Sequence, residues 1–537
     1  MAEYNVQREA RNALLNQVLT DSRLGLSPAV IEACKEVTFV GDDKPFIPTP
    51  LKITESSSAL SGLVGALASV VAAERYGVHQ GVEINTDKAT LFLMSVLLPT
   101  VNGVSFLEVD IIRKAMAEAD IYDMGKPIHR QCTNIYQCKD KRWFHLHGSM
   151  NASRTMEMVG VPEQDVTKEE AQKIYGKKVA QWNSEEIDQT ANEKYHQAGV
   201  ICNTPEEFFA TPHGKIMGEE PLYTLTPIKA PRKSWPKSTS EGFRPLEGVK
   251  VIDFSRVIAA PAASKLLAAL GADVIKISCS NLPDIDILLP DMNTGKRDVD
   301  LDLKTEAGKA EFKRILKDAD VLVDGYRPGA FERLGFTSAT LREINPSLIY
   351  VRENCYGFKG PLSHRSGWQQ VSDCLVGLSW LQGKFMGLNE PVVPLLPNSD
   401  YQTGLIGAAA IIQALLTRTQ EDVTFDIDIS LTQYNIWYYR LGQYDEQQSK
   451  ELLARNPGFS VRHYDEMTSL LSKSLAAVNT SRPGLVKTPE FYLKMSGKEW
   501  GVGDMSILGA PFNLEKSVID YRVPSGRRGW ATLEWKS

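Results

Sequence analysis

The sequence predicts an α/β protein whose second part folds into a mainly parallel, doubly wound sheet. Short apolar runs that suit buried strands alternate there with helical segments, and they lie at 249–254, 273–277, 299–303, 321–323 and 348–352. This alternation predicts βαβ units, because parallel strands need a crossover connection. The chain has 537 residues, 43% of them apolar and 23% charged, which is enough for several domains without a disulfide or metal to stabilise the core.

The predicted helices carry start and stop signals. The segment PAASKLLAAL begins at Pro261, a residue favoured in the first helical turn, and is followed by Gly271, a common helix terminator. A further helix is expected over 305–319. Ligands of such sheets bind outside the carboxyl ends of the strands. The loop after the first strand reads DFSRVIAAP and lacks GxGxxG, which argues against a dinucleotide site of the usual kind.

A predicted linker and a short internal repeat indicate how the chain is organised. Residues 221–245 are rich in Pro, Ser and charge with no hydrophobic period, which predicts a linker. The sequence SGLVGA at 61–66 resembles TGLIGA at 403–408, and each opens an Ala-rich helical run that precedes a strand-like stretch. Duplication and chance both explain this similarity. If it is a duplication, Ser58 stands in the first copy where Asp400 stands in the second.

Asp400 is the most suggestive single residue. It lies in PNSDYQTG, directly before the long apolar run LIGAAAIIQALL. One interpretation is an N-cap, because a carboxylate there accepts backbone N–H groups, and caps are far commoner than nucleophiles. The other is a catalytic carboxylate, which a helix N-terminus would keep ionised and which could attack a thioester.

Basic residues also follow the predicted strands. Arg327 and Arg333 come after the strand at 321–323, where an anionic ligand would dock. Judged from this stretch alone, a solvated turn with structural ion pairs is the better explanation. Lys296, Arg297 and Lys304 flank the strand at 299–303. They would meet phosphates or protect an edge strand.

A metal site is not expected. Cys132, Cys138, His145 and His147 have the spacing C-x5-C-x6-H-x-H, which lacks the usual short step between two cysteine ligands. The two histidines alternate along RWFHLH, which predicts a strand with both imidazoles on one face.

Composition limits the partners and the compartment. The net charge of −6 argues against a globally basic nucleic-acid binder. We expect no membrane span, because no apolar run in the sequence approaches the ~20 residues that a span requires. The seven cysteines are scattered, which fits a reducing compartment. The first residues lack the apolar core of a secretory signal, so a cytoplasmic location is expected.

Six stretches of the second part together resemble the class III CoA-transferase family, which includes formyl-CoA:oxalate and carnitine CoA-transferases and the related α-methylacyl-CoA racemases. They occur in the family's order over 244–431, and they read RPLEGVKVIDFSRVIAAP, LLAALGADVIKI, KRDVDLDLKTEAGK, ADVLVDGYRPGAFERLGF, LREINPSLIYVRENCYGFKGP and NSDYQTG. One stretch alone would be weak evidence, but six in order are specific.

The resemblance implies a fold and a reaction. The family fold is a Rossmann-like, mainly parallel sheet with a smaller α+β domain, and two chains interlock, so a homodimer is expected. Asp400 falls on the nucleophilic aspartate, which implies acyl-CoA:carboxylate CoA transfer through a covalent aspartyl intermediate. The partners implied are an acyl-CoA and a carboxylic acid acceptor, with coenzyme A as co-substrate and no metal, nucleic acid or membrane.

The resemblance also implies CoA contacts, position by position. They fall on the loop after the first strand, the adenine-pocket segment, the phosphate-facing loop and the loop near the thioester: Arg256, Val257, Ile258, Ala259, Leu301, Leu303, Lys304, Arg327, Arg333, Asn354 and Tyr356.

Two departures from the family pattern bear on function. The family usually has KVE or KIE after GADVI, whereas this chain reads KISC up to Cys279, which puts one nucleotide contact in doubt. In the racemase branch a histidine stands at the position of Trp368. An indole cannot exchange an α-proton, so racemisation is not expected.

The first part also resembles the family, but a different portion of its unit. Residues 56–93 resemble the stretch from the catalytic loop onward, and 134–143 and 198–208 resemble pieces of its small domain. We therefore expect a degenerate CoA-transferase-like part at 1–240, with a small-domain-like segment at about 100–220. A Rossmann-like domain with the nucleophile follows at 241–440, and a C-terminal helical segment and tail at 441–537.

Three functions remain open from the sequence. The first is the CoA-transferase that uses Asp400. The second is a non-catalytic CoA-binding pseudoenzyme, suggested by the missing family residues and the degenerate first part. The third is an acyl-CoA isomerase or lyase, which Trp368 makes unattractive.

Overall fold

A computed structural model describes residues 4–238 and 242–536. The strands are β1 Thr38–Val40, β2 Val82–Asn85, β3 Thr100–Val101, β4 Val104–Ser105, β5 Asn134–Gln137, β6 Trp143–Leu146, β7 Gly199–Ile201, β8 Thr224–Lys229, β9 Lys250–Phe254, β10 Asp273–Ser278, β11 Lys296–Asp300, β12 Val321–Asp324, β13 Ile349–Asn354, β14 Val423–Ser430, β15 Tyr492–Met495, β16 Met505–Leu508 and β17 Asn513–Leu514.

The α-helices are α1 Val6–Ala13, α2 Pro28–Lys35, α3 Ile53–Tyr76, α4 Thr86–Phe92, α5 Asp110–Ala119, α6 Pro127–Arg130, α7 Ser153–Val159, α8 Lys168–Val179, α9 Ser184–Gln189, α10 Pro205–Ala210, α11 Pro212–Met217, α12 Ala259–Ala269, α13 Leu289–Met292, α14 Glu306–Leu316, α15 Ala330–Arg333, α16 Ser338–Ile344, α17 Gln369–Val376, α18 Leu378–Phe385, α19 Asn398–Gln420, α20 Leu431–Arg440, α21 Glu446–Ala454 and α22 Met467–Ser481.

The central sheet confirms the predicted fold class. Its strand order is β11-β10-β9-β12-β13-β14-β8, and each pair is parallel except β14 and β8. The chain builds outward from β9 through β10 to β11 and then returns to the other side of β9 with β12. The order therefore reverses between β9 and β12, and a crevice for ligands opens at the carboxyl ends of such neighbours.

The last strand of this sheet was not expected. Thr224–Lys229 forms β8 inside the stretch predicted to be a linker, and it pairs antiparallel with β14. Pro227 lies opposite Phe425, which is compatible with an edge strand because proline cannot donate a ladder hydrogen bond. The strand predicted at 299–303 is also shifted, since β11 begins at Lys296 and ends at Asp300. Residues 239–241 of the predicted linker lie outside the described residues.

A smaller α+β unit lies within the first part. Strands β5, β6 and β7 form an antiparallel sheet, and helices α7, α8 and α9 pack beside it around a separate apolar core that includes Phe144 and Tyr175. The unit agrees with the expected smaller α+β domain of the fold class. The exact division of the chain into 1–240, 241–440 and 441–537 stays a prediction.

Two long helices form the centre of the larger core. Helix α3 has 24 residues and packs against α19, which has 23. By length and a mean hydropathy of 1.6, α3 could cross a membrane, contrary to the expectation that no segment approached that size. In this structure, however, 89% of its apolar window is buried inside the protein.

The C-terminal segment joins sheets of the first part. In addition to α21 and α22, it supplies β15, which pairs with β16, and β16, which also pairs with β3. It also supplies β17, which pairs with β2. The expectation of a helical segment was thus incomplete. Its last residues follow β11, where the Ala531 backbone N–H donates to the Asp298 carbonyl over 2.9 Å.

Candidate active site

A cavity opens at the carboxyl ends of the strands, where the strand order reverses. The loops after β9, β12 and β13 form its walls, and the start of α19 closes it. Seven residues predicted from the sequence line it together: Arg256, Val257, Ile258, Ala259, Arg327, Asn354 and Asp400.

Five other predicted contacts do not line this cavity. Leu303 is buried in an apolar core below the sheet, and Leu301 packs against the same core. Lys304 is exposed in the turn after β11, and Arg333 is exposed at the end of α15. Tyr356 is buried behind the wall, where its carbonyl lies 3.0 Å from His213 Nε2.

The N-terminal ends of four helices converge on the cavity. Ala259 begins α12, Trp368 immediately precedes α17, Asp400 lies in the first turn of α19, and Leu431 begins α20. Each helix N-terminus carries unpaired N–H groups and a partial positive charge. The cavity is therefore suited to anions and to a developing oxyanion.

A glycine brings two of these helices close. A Cβ added at Gly404 would lie 2.6 Å from the Cβ of Ala262 and 2.9 Å from the Ala259 carbonyl oxygen. No side chain fits in that space, so α19 and α12 touch within two turns of their starts. Gly404 thereby positions Asp400 beside the N-terminus of α12.

Asp400 is not the N-cap that the sequence alone favoured. Helix α19 begins at Asn398 after Pro397, so Asp400 is the third helical residue. Among the described residues no hydrogen bond is made to its carboxylate, which faces the cavity. Burial raises its pKa well above the ordinary value, and the nearby Glu353 and Asp373 carboxyls raise it further. The helix N-terminus acts in the opposite direction, because it stabilises the charged form.

Val257 holds a strained backbone at the cavity wall. Its φ of 73° lies in the left-handed region, which is unusual for a β-branched residue. Such strain persists only where the surrounding structure imposes it, and it clusters at functional sites. In this loop it leaves Arg256 and Ala259 on one wall of the cavity.

Three arginines line the cavity, and two of them have protein partners. Arg365 pairs with Asp188 and Glu193 at 2.9 and 2.8 Å. Arg256 donates to the Pro283 carbonyl over 2.6 Å and lies 4.7 Å above the Tyr326 ring.

Arg327, in contrast, forms no hydrogen bond or ion pair with the residues that the structure describes. Desolvation lowers its pKa, and the positive charges of Arg256, Arg154 and Arg333 lower it further. This concentration of positive charge lies at the mouth of the cavity and would attract an anionic ligand.

Two buried carboxyls near Asp400 were missed by the sequence reasoning. Glu353, near the end of β13, lines the cavity, and burial together with the Asp324 carboxyl raises its pKa to about 8. Asp373 lies on α17, where burial raises its pKa to about 7 although Asn435, Ser399 and Gln369 donate hydrogen bonds to it. The position of Glu353 directly after a predicted strand could have identified it as a candidate site residue. Asp373 lies within a helix, and no sequence pattern marks it.

Trp368 lies in the cavity wall at the position where the racemases carry a histidine. Its indole stacks on His147, with ring centroids 5.2 Å apart and an angle of 3° between the planes. The prediction that His145 and His147 share one face of a strand agrees with their ring distance of 5.7 Å at the end of β6. In the described part of the chain, no group of three metal-ligating side chains is placed to hold a metal ion.

The basic residues beside β11 are structural. Lys296 is fully buried and pairs with Asp253 at 2.7 Å, and Arg297 pairs with Asp273 at 2.6 Å. Lys276, which precedes the departure KISC, is buried between Asp284 and Asp298. Of the alternatives open from the sequence, phosphate binding by Lys296 and Arg297 is therefore excluded.

Comparison with known proteins identifies the family. The sequence model described as CoA-transferase family III matches residues 246–458. The acetyl-coenzyme A transferase nodX of Hypoxylon pulicicidum is 36% identical over 501 residues, which cover 89% of this chain and 84% of that protein. The chain belongs to CoA-transferase family III. The family, the fold class and the assignment as a CoA-transferase enzyme are thus confirmed, with CoA as a substrate.

Two further similar proteins extend the comparison. An acyl-CoA transferase from Gibberella moniliformis is 29% identical over 506 residues, 89% of this chain and 87% of that protein. The crystal structure of Rv3272 from M. tuberculosis matches 41% of this chain and 61% of that chain, at 30% identity and a TM-score of 0.35. The alignments with the two fungal relatives cover most of the chain, so they extend into the first part, which the family III match does not reach.

Proposed function

We propose that this protein transfers CoA from an acyl-CoA to a carboxylic acid through a covalent intermediate on Asp400. The observation that carries the proposal is the position of Asp400, which faces a cavity where four helix N-termini meet. A carboxylate there is held next to donors that stabilise the oxyanion of thioester attack. The arginines at the mouth suit the phosphates of CoA.

The reaction needs only this carboxylate and its two substrates. An Asp400 oxygen attacks the thioester carbonyl, the C–S bond breaks, and a mixed anhydride and CoA thiolate result. The thiolate attacks the aspartyl carbonyl and releases the donor acid as a carboxylate. The acceptor carboxylate then attacks the aspartyl-CoA thioester, the C–S bond breaks, and a second mixed anhydride and CoA thiolate result. The thiolate attacks the acceptor carbonyl of this anhydride, which forms the new acyl-CoA and releases the Asp400 carboxylate. No proton is consumed, and each step is easier than direct exchange.

The strand order explains how distant predicted contacts could serve one ligand. β11 and β13 are separated by four strand spacings in the sheet, which is about 19 Å. Leu301 and Lys304 follow β11, whereas Asp400 lies at the cavity near β13. CoA carries its nucleotide at one end and its thiol at the other, so an extended molecule along this edge would reach both places.

Chemical trapping tests the proposal. The purified protein is incubated with a panel of acyl-CoAs, hydroxylamine is added, and modified peptides are mapped by mass spectrometry. We expect a hydroxamate on Asp400 that is absent in Asp400→Asn. Ser58→Ala, which changes the corresponding residue of the first part, should be modified on Asp400 like the wild type. CoA binding without an adduct from any donor would contradict the covalent mechanism.

The isomerase or lyase alternative gains no support from the site. None of the described residues that line the cavity is a histidine, and Trp368 occupies the relevant wall. Exchange of the substrate α-proton with deuterium from solvent would revive this alternative.

Homodimerisation and a cytoplasmic location belong to the proposal as well. Both rest on the resemblance and the composition described above. Light scattering of the purified protein and fractionation of cells that express it test them directly.

A further inference from the structure

Glu353 is a cavity carboxyl that the reaction above does not use. It lies on the same cavity wall as Asn354 and faces the cavity that contains Asp400. Within the part of the chain that the structure describes, its carboxyl group has no hydrogen bond and no ion pair. Three nearby guanidinium groups are engaged elsewhere, in the contacts Arg352–Asp428, Arg365–Asp188 and Arg256–Pro283. The guanidinium of Arg327 also lines the cavity but forms no ion pair with Glu353.

The neighbouring carboxyls all have something that stabilises their charge. Asp324 accepts hydrogen bonds from the Tyr326 N–H and the Tyr350 hydroxyl, each over 3.0 Å. Asp373 accepts from three side chains, and Asp400 lies in the first turn of α19. Glu353 is the next-to-last residue of β13 and has, among the described residues, neither hydrogen-bond donors nor a helix N-terminus beside its carboxyl group. Burial and the Asp324 carboxyl raise its pKa to about 8. The Glu353 charge also raises the pKa of Asp400, so the two carboxyls compete for one proton. The N-terminus of α19 favours Asp400 as the ionised partner, which leaves the proton on Glu353.

We propose that Glu353 stays protonated while Asp400 is ionised, and that the Glu353 carboxyl donates a hydrogen bond to the carboxylate of the acid that leaves or enters the cavity. This inference rests on the proposed function. The proton remains on Glu353 throughout, so the balance of the reaction is unchanged. A neutral donor is needed because an ionised Glu353 would repel both Asp400 and the second substrate.

Other charged groups surround Glu353 from each packed element. Arg256 and Arg327 line the same cavity, and burial raises the pKa of the Cys355 thiol well above its ordinary value. The remaining groups are Asp324 on β12, Asp373 on α17, Asp400 on α19 and Arg365 in the loop before α17. Asp324 and Asp373 have pKa values of about 7, so a variant is needed to assign a step near pH 8.

Infrared difference spectroscopy of the substrate-free protein locates the proton. At pH 7 the wild type minus Glu353→Gln spectrum should show the C=O stretch of a protonated carboxyl, and this band should disappear on titration through about pH 8. A band that is lost in Asp400→Asn and kept in Glu353→Gln would place the proton on Asp400 and overturn the proposal.

The pH dependence of transfer tests the role of the donor. Wild-type kcat/KM should fall about tenfold for each pH unit above 8. Glu353→Gln keeps a neutral donor, so it should retain most of the activity at pH 7 and lose this alkaline decline. Glu353→Ala has no donor and should lose about 10- to 100-fold at pH 7. Glu332→Gln, the same change on the exposed face of α15, is the matched control and should behave as wild type.

Two failures are distinguishable. If the wild type forms no hydroxamate on Asp400, the proposed function itself is wrong. If the adduct forms but Glu353→Gln retains the wild-type alkaline decline, or is as inactive as Asp400→Asn while remaining folded, only the role of Glu353 is wrong.

Discussion

Two regions of this chain have the same order of elements but different chemistry. The catalytic copy comprises α19, β14 and α20, and the silent copy comprises α3, β2 and α4. In each, a helix of 23 or 24 residues is followed by a strand, and a second helix begins directly where that strand ends. The repeated sequences at 61–66 and 403–408 lie in the two long helices, which pack against each other.

Glycines show that the two copies use the same packing. A Cβ at Gly65 would lie 2.6 Å from Val82 Cγ1, and a Cβ at Gly407 would lie 2.8 Å from Ile429 Cδ1. Val82 is in β2 and Ile429 is in β14, so each helix approaches its following strand through an equivalent glycine. This agreement favours duplication over chance.

The copies differ three residues before the repeat, at Asp400 and Ser58. Asp400 faces an open cavity, whereas Ser58 is completely buried, and its hydroxyl has no hydrogen-bond partner among the described residues. The scaffold and the chemistry are therefore separable in this chain. Close helix–strand packing is kept in both copies, while function follows from one side chain and from whether the space before it is open.

The largest effect is expected for the nucleophile. Asp400→Asn should lower kcat/KM for CoA transfer by roughly 10⁴-fold or more, because the amide cannot attack the thioester. Steady-state kinetics with the best donor measures this change. The corresponding change in the silent copy, Ser58→Ala, should leave kcat within about twofold. Equal losses in both variants would mean that the two copies share the catalytic work.

The second-largest effect is expected for the positive charge at the cavity mouth, which should strengthen binding of the acyl-CoA. Arg327→Ala should raise KM for the acyl-CoA about 10- to 100-fold with a smaller change in kcat, since it removes a charge-assisted contact to the ligand. Calorimetric binding of CoA provides a second measurement. Arg113→Ala changes an exposed arginine on α5 and is the control. Unchanged affinity of Arg327→Ala for CoA would indicate that the phosphates of CoA bind elsewhere.

The equivalent glycines should give matched losses of stability. Gly65→Ala and Gly407→Ala should each lower the free energy of unfolding by about 1–2 kcal/mol, because overpacking outweighs the better helix propensity of alanine. Thermal and denaturant unfolding measure this. Gly176→Ala on α8, where a Cβ meets nothing within 4 Å, should instead stabilise by about 1 kcal/mol. Opposite effects in the two copies would argue against equivalent packing.

The smallest effect concerns Ser58 itself. Ser58→Ala should raise the free energy of unfolding by about 1 kcal/mol, since it removes a buried hydroxyl that has no partner. The matched variant is Ser57→Ala. The Ser57 hydroxyl donates to the Ala89 carbonyl over 2.6 Å, so its loss should destabilise by a similar amount. Destabilisation in both would indicate that Ser58 has a water partner.

Local patterns predicted the parts of the fold that depend on neighbouring residues. The strands at 250–254, 273–278, 321–324 and 349–354 lie within two residues of the expected runs, because continuous apolar stretches bounded by polar residues mark buried strands. For the same reason, residues after these strands, such as Arg256 and Arg327, could be assigned to one ligand site.

Features that depend on distant contacts could not be predicted. Thr224–Lys229 reads as linker because two prolines lie at or near it, and only pairing with β14 makes it a strand. The stacking of Trp368 on His147 joins residues more than 200 positions apart. The N-cap interpretation of Asp400 failed since helix α19 starts two residues earlier, at Asn398.

Strand β8 makes the folding of the two parts of the chain interdependent. It precedes the break between the parts in sequence, yet it completes a sheet whose other strands all come after that break. Separate expression of the two parts would leave β14 with an open edge on one fragment and a lone strand on the other. Co-expressed fragments would therefore behave as a split enzyme, with transferase activity reporting their reassembly.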